Sequence, residues 1–498
     1  MDIILTTLNA RYMHSAFGLR YLYANMGTLQ SKTELIEFTI QERPMEIVEK
    51  LLRQKPKIIG FSVYIWNVSE IAETVLLIKQ IDPDIKIIVG GPEVSHPPDL
   101  PSFVASVDYV ITGYGEVSFP DLCEQILSDQ NPEEQIIKGK ELALNDLKLP
   151  YEFYTEEDIR NRLIYVEASR GCPFKCEFCL SSLDKTAKPF ELDQFLLEMD
   201  LLHKRGARNF KFIDRTFNLK VSSSVKILTF FLERMSDDLY LHFEVIPDNL
   251  PEKLKQTIKL FPVNSLQFEI GVQTFDPKIQ TLISRKQNNE KTAENLKWLR
   301  KNTGAHIHAD LIFGLPLDTL NNFAKSFDQL VKLKPQEIQL GILKRLRGAP
   351  INRHSGEYQL RYNLHAPYNI LSTREIDFET MQRVNRFARF WDMIANSGRF
   401  PETIKIILEN DPFHRFIQVS DALYDSAEST WKISLKRLFN LLYTVLTETL
   451  DISTVLVRHS LEQDYLRSGQ KGAPDFIKPK LESVVRSGTA NKRQRNHL

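Results

Sequence analysis

The chain has 498 residues, of which 42% are hydrophobic and 26% are charged, and its 64 basic residues balance its 64 acidic ones. This ordinary globular composition suggests roughly two to four domains. Zero net charge gives no strong signal for nucleic-acid binding. The sequence contains no apolar run of about 18 residues, so no membrane helix is predicted. Its four cysteines, three of them clustered, are too few and too close for a disulfide framework. We therefore expect a cytoplasmic protein without membrane contact.

The first domain, residues 1–140, is predicted to be a doubly wound parallel sheet. Strands are expected at 2–8, 33–40, 57–65, 86–91 and 107–113. Between two of them, the apolar residues Val68, Ile71, Val75 and Ile78 have the three- and four-residue spacing of one helix face. Such sheets bind ligands at the carboxyl ends of their strands, where the small residues of "VGGPE" (89–93) and "TGYGEVS" (112–118) stand.

A second α/β pattern follows a predicted loop-rich linker at about 136–160. Strands are expected at 162–169, 209–214, 241–246, 265–271, 306–314 and 337–343. Helical segments separate them, so residues 160–347 favour a partial (β/α)6 barrel of the TIM type over a complete eight-fold one.

The C-terminal region changes character, and residues 350–466 are predicted to be a mainly helical domain. Apolar stripes at helical spacing run from Met381 to Ile394 and from Leu435 to Val445. Trp391 and Trp431 are expected in the core of this domain. The tail, 467–498, is polar and basic, and we expect it to be disordered.

Three cysteines in "RGCPFKCEFCLSS" (170–182) carry the clearest chemical signal. Cys172, Cys176 and Cys179 have the spacing C-x3-C-x2-C and follow the first barrel strand directly. A zinc site would need a fourth ligand, whereas three thiolates around a [4Fe–4S] cluster leave one iron open to a small molecule. The cluster is the preferred interpretation, and zinc or free thiols remain the alternative. Cys123 lies on a helical apolar pattern and is expected to be a buried core residue.

The same segment, with Phe178 as its aromatic residue, resembles the signature of the radical S-adenosylmethionine (radical SAM) superfamily. The resemblance implies that the open iron binds S-adenosylmethionine. It also implies reductive cleavage of that molecule to a 5′-deoxyadenosyl radical, with an electron from a donor such as flavodoxin or ferredoxin.

Further segments resemble S-adenosylmethionine-binding parts of that superfamily. Asp214 in "FKFIDRTFN" (210–218) matches a segment that contacts the amino group. Glu269 in "FEIGVQTFD" (268–276) and Gly314 in "DLIFGLPLDT" (310–319) match the fourth- and fifth-strand segments. The structural alternatives are a strand-end cap for Asp214, a hydrogen-bonded interior carboxylate for Glu269, and a simple turn at Gly314.

A doubly wound domain before such a barrel resembles a cobalamin-binding domain. The resemblance places Ser62, Gly90, Gly91, Gly113 and Glu116 near cobalamin. Many such domains carry a histidine that binds cobalt from below, in a D-x-H-x-x-G segment. Here Tyr12 replaces the aspartate, and Gly18 lies one residue too far from His14. The departure favours a loop histidine that makes a polar or packing contact over a cobalt ligand.

The stretch "LGILKRLRGAPINRH" (340–354) resembles the end of the barrel in a subgroup whose helical C-terminal domain has no known function. Its basic residues face either an anionic substrate or solvent. The resemblance implies a cobalamin-dependent radical SAM enzyme, and a radical methyltransferase is the preferred function. The alternatives are a non-methyl rearrangement or oxidation, and a non-enzymatic zinc protein. One spare cysteine cannot build a second cluster, so sulfur insertion is not expected. The substrate and the catalytic residues are not predicted.

Overall fold

The computed structural model describes residues 1–470 and 473–477. The chain forms two compact units. Unit 1 comprises Met1–Arg215, Lys344–Asn352 and Asn363–Asn369, and unit 2 comprises Thr216–Leu343, Arg353–Tyr362 and the described residues from Ile370 onwards.

Unit 1 begins with a six-stranded sheet in which every neighbouring pair of strands is parallel. Its elements are β1 (Ile3–Asn9), α1 (Phe17–Ala24), β2 (Thr33–Thr39), α2 (Pro44–Leu52), β3 (Ile58–Ser62), α3 (Val68–Ile81), β4 (Lys86–Gly90), β5 (Tyr109–Thr112), α4 (Ser118–Leu127) and β6 (Ile136–Lys138). The strand order is β2-β1-β3-β4-β5-β6, with helices between strands, which confirms the predicted doubly wound α/β sheet.

The core of this sheet explains why its strands read as apolar runs. Every residue of β1 is buried, because helices cover both faces of the sheet. Close packing also needs one small residue in β3. A Cβ at Gly60 would lie 2.6 Å from the ring of Phe119 in α4. Cys123, on the same helix, is fully buried as predicted.

The predicted linker at 136–160 is more ordered than expected. Its first residues form β6, a short edge strand that is largely exposed and therefore lacks the apolar signal of the others. Its last residues enter α5 (Glu156–Asn161) through a capping box. The Asp158 amide donates to Thr155 Oγ1 at 3.1 Å, and the Thr155 amide donates to Asp158 Oδ2 at 2.9 Å.

The rest of unit 1 carries the start of the second α/β pattern. Its elements are β7 (Ile164–Val166), β8 (Ser169–Arg170), β9 (Lys188–Pro189), α6 (Leu192–Lys204) and β10 (Asn209–Phe212). β7 and β10 are parallel, and β8 and β9 are antiparallel. The predicted strand 162–169 is therefore two short strands, and the second belongs to a hairpin.

Unit 2 continues the pattern with four consecutive parallel strands. Its elements up to the last of them are α7 (Val221–Leu232), β11 (Tyr240–Val245), α8 (Glu252–Lys259), β12 (Leu266–Gln273), α9 (Pro277–Leu282), α10 (Asn289–Asn302), β13 (His306–Phe313), α11 (Leu320–Leu333) and β14 (Glu337–Ile342). With β7 and β10, the chain contains six strands in βα succession, as a partial (β/α)6 barrel requires.

The C-terminal part of unit 2 is mainly helical, as predicted. It contains β15 (Arg361–Tyr362), β16 (Ile370–Ser372), α12 (Phe378–Ile394), α13 (Thr403–Leu408), α14 (Pro412–Ala427), α15 (Leu435–Glu448) and α16 (Thr454–Ser468). Trp391 is 4% exposed and packs against Phe327 and Phe416 with ring centroids 4.8 and 5.0 Å away. The prediction for Trp431 is wrong: it lies outside the helices, is 69% exposed, and lies against the Arg389 guanidinium.

The predicted disordered tail, 467–498, lies mostly outside the described residues. Its first two residues complete α16. Within the described segment 473–477, Phe476 stacks on Tyr443 with ring centroids 4.7 Å apart, and Ile477 is buried. These apolar contacts join the segment to α15.

Candidate functional site

A cavity of about 730 Å³ lies in unit 1, at the carboxyl ends of β1, β3, β4 and β5. This is the edge at which parallel doubly wound sheets bind ligands. The five residues predicted to lie near cobalamin all line it: Ser62, Gly90, Gly91, Gly113 and Glu116. The structure therefore brings together residues that are spread over 55 positions of the sequence.

Two glycines at this edge are required for different reasons. Gly91 has φ +104°, and a Cβ there would lie 2.6 Å from the carbonyl oxygen of Val63. Gly113 has φ +75°, but none of the described residues has an atom within 4 Å of the position its Cβ would take. Gly91 therefore allows its backbone to approach that of Val63 closely, and Gly113 leaves open space along the cavity wall.

The walls of the cavity are largely apolar and aromatic. Tyr64 and Trp66 stack with ring centroids 4.3 Å apart and planes 7° apart, and the Trp66 indole donates to the Leu8 carbonyl at 3.2 Å. Such walls suit a large ligand that is held by surface contact and oriented by a few polar groups.

A polar group of four residues lines one part of the cavity: Tyr21, Glu116, Glu167 and Arg170. Arg170 Nη1 donates to Glu116 Oε1 at 2.8 Å, and Nη2 donates to Glu167 Oε1 at 2.6 Å. Glu116 thus lines the cavity, and its carboxylate accepts a hydrogen bond from an arginine. Its proximity to cobalamin remains a prediction. Tyr21 and Glu167 were not predicted as site residues, because only the tertiary fold brings them to this arginine.

His14 also lines the cavity, and its Nδ1 is hydrogen-bonded to the Tyr165 hydroxyl at 2.7 Å. Burial, together with the positive charges of Lys211 and Arg11, lowers the pKa of His14. The imidazole is therefore neutral near pH 7 and makes a polar contact, which is the interpretation that its sequence context favoured.

The three cysteines lie in the loop that the β8–β9 hairpin encloses, and all three are half-buried. The Cys179 amide donates to the Cys176 carbonyl at 3.1 Å, and the Cys172 amide donates to the Asp184 carbonyl at 3.3 Å. Burial raises the pKa of the Cys172 thiol, and the neighbouring Cys179 and Cys176 raise it further. Phe178 is half-buried in the same loop.

Backbone contacts hold this loop closed. Gly171 has φ +96°, and a Cβ there would lie 2.4 Å from the Thr186 carbonyl oxygen. The Ile351 amide donates to the Glu177 carbonyl, between two of the cysteines, at 2.9 Å. Within the part of the chain that the structure describes, no three histidine, cysteine or acidic side chains form a group suited to a single metal ion.

The two central arginines of the basic stretch at 340–354 form ion pairs with acidic side chains of unit 1. Arg345 Nη2 lies 2.7 Å from Asp99, and Arg347 Nε lies 2.9 Å from Glu93. The Tyr368 hydroxyl donates to the same Glu93 carboxylate at 2.7 Å. These side chains fix residues 344–352 to the loop that follows β4.

Asp214 is 2% exposed, and both of its carboxylate oxygens accept hydrogen bonds. The Ala168 amide donates to one at 3.0 Å, and the Ser169 hydroxyl donates to the other at 2.6 Å. Burial raises the pKa of Asp214 to about 7, although these two donors oppose the shift. The carboxyl group therefore fixes the segment before the cysteine loop, and its contact with S-adenosylmethionine remains a prediction.

Unit 2 carries a second concentration of polar groups, which we call the polar strand face. Its members are on one face of β11–β14: Tyr240, His242, Gln267, Glu269, His306, His308, Asp310, Glu337 and Gln339. Glu269 lies 3.1 Å from His242, and His306 lies 3.2 Å from Glu337. Side-chain exposure increases along the strands, from 8% for His306 to 28% for Asp310.

The charge state of this face is set by its carboxylates. Burial alone would lower the pKa of His308, but the Asp310 and Glu337 carboxylates raise it above its ordinary value. The His308 imidazole also lies 2.9 Å from Gln339 Oε1. Glu269 is the one residue of this face that was predicted as a site residue, although the alternation of polar and apolar residues in β12 and β13 also indicates a polar face.

Gly314 ends β13 with φ +88°, and a Cβ there would lie 2.8 Å from Ile370 and 3.2 Å from Met381. The turn it forms is therefore packed against β16 and α12 of the same unit. A contact between Gly314 and S-adenosylmethionine remains a prediction.

Comparison with known proteins gives three family matches along the chain. Residues 3–123 match the B12 binding domain, 166–330 match the Radical SAM superfamily, and 356–497 match a protein family of unknown function, DUF4080.

Curated relatives match the first two regions. The chain is 22% identical over 342 residues to "Uncharacterized methyltransferase PH0819" of Pyrococcus horikoshii, covering 62% of this chain and 73% of the relative. It is 24% identical over 354 residues to "Cobalamin-dependent radical SAM methyltransferase TokK" of Streptomyces tokunonensis, covering 63% of this chain and 50% of that protein. The chain thus spans only half the length of TokK.

Solved structures share the fold. The methyltransferase TsrM from Kitasatospora setae, with tryptophan and a SAM analogue bound, superposes with a TM-score of 0.57 at 16% identity, covering 73% of this chain and 79% of that one. The cobalamin-dependent S-adenosylmethionine radical enzyme OxsB superposes with a TM-score of 0.63 at 15% identity, covering 93% and 80%.

The sheet with its cavity, the βα succession and the three-cysteine loop define a radical SAM enzyme with a B12-binding domain. Within that class, the region after the barrel matches the DUF4080 family model. Its cofactors are a [4Fe–4S] cluster, S-adenosylmethionine and cobalamin. This membership decides against the non-enzymatic zinc protein that the cysteines alone left open.

The residues present fit these cofactors. Three thiols on one closed loop are the donor set of a cluster with an open iron. The apolar cavity has open space at Gly113 and a buried Tyr21 hydroxyl that has no hydrogen-bond partner in the described residues, as a site for a large ligand with polar substituents would.

Proposed function

We propose that the protein is a cobalamin-dependent radical SAM methyltransferase. The observation that carries the proposal is the presence, in one compact unit, of the three-cysteine loop and of a cavity lined by all five residues predicted to lie near cobalamin. When bound, the cluster with S-adenosylmethionine supplies a hydrogen-abstracting radical, and the corrinoid supplies a transferable methyl group.

Different residues of unit 1 bind the cluster and the corrinoid. Cys172, Cys176 and Cys179 would hold the cluster, and Phe178 lies in the same loop. Ser62, Gly90, Gly91 and Gly113 line the corrinoid cavity, with Glu116 on its polar side. The apolar walls exclude water from the cavity, which protects reactive species from hydrolysis and protonation.

Unit 2 has hydrogen-bonding and proton-transfer groups of its own on the polar strand face. Glu269 is positioned by His242, and its partly exposed carboxylate is available to the S-adenosylmethionine amino group. Asp310 and His308 lie 3.3 Å apart near the exposed end of the face and can hold or move a proton.

We infer that the reductant is a small flavodoxin- or ferredoxin-type protein and that the enzyme works in the cytoplasm, where thiols stay reduced. No helix among the described residues is long and apolar enough to cross a bilayer.

The test begins with anaerobic reconstitution of the full chain with iron, sulfide and hydroxocobalamin. We expect about four irons and one corrinoid per chain. Incubation with methyl-labelled S-adenosylmethionine, a reductant and a metabolite extract should then label a product. A product that forms without the label would replace methyl transfer by a radical rearrangement or oxidation. A chain that keeps no corrinoid would overturn the proposal.

A further inference from the structure

Arg170 joins the two parts of unit 1 that hold the cofactors. Its backbone belongs to β8 and pairs with Lys188 of β9, so it forms the base of the hairpin that encloses the cysteine loop. Cys172 follows two residues later. A shift of Arg170 therefore moves the start of the cysteine loop.

The side chain of Arg170 points the other way, into the cavity wall. It bridges Glu116, in the loop after β5, and Glu167, just after β7. The side chains of Arg170, Glu116 and Glu167 are 21%, 12% and 6% exposed, so solvent screens the pairs only weakly. Removing one partner would leave a largely buried charge without its counter-ion.

Tyr21 shows that this part of the cavity is built for a ligand. Its ring lies under the Arg170 guanidinium, with Cζ 4.8 Å from the ring centroid. The residue is 3% exposed and lines the cavity, and burial together with the nearby Glu167 carboxylate raises the pKa of its hydroxyl. The hydroxyl makes no hydrogen bond of normal geometry within the described ranges. A buried hydroxyl without a partner is unfavourable unless a ligand supplies one.

The segment that carries Arg170 is held firmly on its other side. The Tyr151 hydroxyl donates to the Glu167 carbonyl at 3.2 Å, and Asp214 binds the Ala168 amide and the Ser169 hydroxyl. Movement at Arg170 is thus passed forward along the chain, towards Cys172.

We propose that Arg170 is a positioning residue that couples corrinoid binding in the cavity to the geometry of the cysteine loop. The coupling rests on the proposed function, since it takes the cavity ligand to be a corrinoid. Corrinoids carry amide side chains at their edge. An amide that forms hydrogen bonds with the Tyr21 hydroxyl and the Glu116 carboxylate would rearrange the ion pairs of Arg170. The base of the cysteine loop would then shift with Arg170.

The experiment measures how fast the reconstituted full chain loses cluster iron to a chelator, with and without saturating hydroxocobalamin. For the wild type, we expect the corrinoid to slow iron loss by roughly tenfold. A ligand stabilises the conformation to which it binds, which here is the one in which the cysteine loop holds the cluster. In Arg170→Gln, we expect hydroxocobalamin to bind about tenfold more weakly, as loss of an orienting partner does. At saturation it should no longer slow iron loss.

Three further variants make the result specific. Lys185→Gln changes an exposed basic residue of the same loop and should keep the wild-type response. Arg170→Lys keeps the charge and should restore part of the response. Glu116→Gln breaks the same pair from the other side, and should abolish the response even if Arg170→Gln does not fold.

The outcomes separate this inference from the proposed function. A wild type that binds hydroxocobalamin but loses iron equally fast with and without it overturns the coupling alone. So does an Arg170→Gln or Glu116→Gln variant with the full wild-type response. A wild type that binds no hydroxocobalamin overturns the proposed function, and the coupling with it.

Discussion

The cavity of unit 1 and the polar strand face of unit 2 are built in opposite ways. The cavity has aromatic and aliphatic walls, and its glycines provide space and close backbone approach. The strand face consists of paired side chains, such as His242 with Glu269 and His306 with Glu337, at 3.1–3.2 Å. Apart from the Arg170 ion pairs, the lining of the first region suits recognition by shape, and that of the second suits interactions through charge and hydrogen bonds.

The difference follows from how the strands are covered. The strands of the first sheet lie between two layers of helices, so both of their faces are apolar. In β12, the polar Gln267 and Glu269 alternate with the buried Phe268 and Ile270. Helices cover the apolar face of this strand, and the polar face is available for binding and proton transfer. Large cofactors therefore fit the first region, and proton transfer and polar recognition fit the second.

The largest expected effect comes from removing the thiols of unit 1. Cys172→Ala/Cys176→Ala/Cys179→Ala should reduce iron from about four per chain to none after anaerobic reconstitution, because no thiolate remains on the loop. Formation of 5′-deoxyadenosine should stop with it. Iron and sulfide assays and chromatography of the nucleoside measure both.

The matched control is Cys123→Ala. This cysteine is fully buried among apolar side chains of α4, so the variant should keep all of its iron. Iron that persists in the triple variant, or is lost in the control, would show that the cluster is held elsewhere.

The second effect tests recognition by shape, with two glycines that differ in their surroundings. Gly91→Ala forces a Cβ to 2.6 Å from the Val63 carbonyl oxygen. We expect loss of most corrinoid binding and a lower melting temperature, since strain of this kind costs about 1–3 kcal/mol and the backbone must move. Absorbance titration with hydroxocobalamin and thermal unfolding measure these effects.

Gly113→Ala is the companion variant. It has open space around the new methyl group and only the cost of a positive φ, about 1 kcal/mol. It should fold nearly as well as the wild type and weaken corrinoid binding only in proportion to the volume that the methyl group takes. Equal effects of the two substitutions would contradict the distinction drawn between backbone approach and open space.

The third effect tests the polar strand face. Glu269→Gln keeps the size of the side chain and removes its charge, so unit 1 should retain its iron and corrinoid. Formation of 5′-deoxyadenosine should fall by roughly 10-fold or more, because one charge-assisted hydrogen bond is worth about 1.5–3 kcal/mol. Glu290→Gln, on the exposed side of α10, is the control and should change neither quantity. Loss of corrinoid in Glu269→Gln would contradict the assignment of corrinoid binding to the cavity of unit 1 and not to the polar strand face.

Much of this arrangement could be predicted from the sequence, for physical reasons that also explain the failures. Strands buried on both faces are apolar runs, so β1–β5 were found, whereas the exposed three-residue β6 was not. The glycines of the cavity edge stand in short motifs. The Arg170 network and the Tyr21 hydroxyl depend on contacts between residues as far as 149 positions apart, which no local pattern encodes. Trp431 failed because a single aromatic residue near a helix carries no information about which side it faces.

The smallest expected effect concerns Asp214, the one strongly buried carboxyl group that fixes the segment before the cysteine loop. Burial raises its pKa to about 7 in the folded chain, against an ordinary value of 3.8. The folded state therefore holds the proton over a pH range in which the unfolded state has lost it. The free energy of unfolding should fall as the pH rises from about 4 to about 7, and the contribution should level off above that range.

The size of the effect is at most a few kcal/mol, because each pKa unit corresponds to about 1.4 kcal/mol. Asp214→Asn stays neutral throughout, so its melting temperature should change less than that of the wild type between about pH 5 and pH 7.5. Its lower baseline would reflect an amide NH2 that faces the Ala168 or Ser169 donor. Asp237→Asn, at an exposed position, should follow the wild-type curve. Parallel curves for wild type and Asp214→Asn would mean that the carboxyl group stays ionised in the fold. It would then be a buried anion of unit 1, as Glu116 and Glu167 are, and the segment before the cysteine loop would be held by a charged group instead of a neutral one.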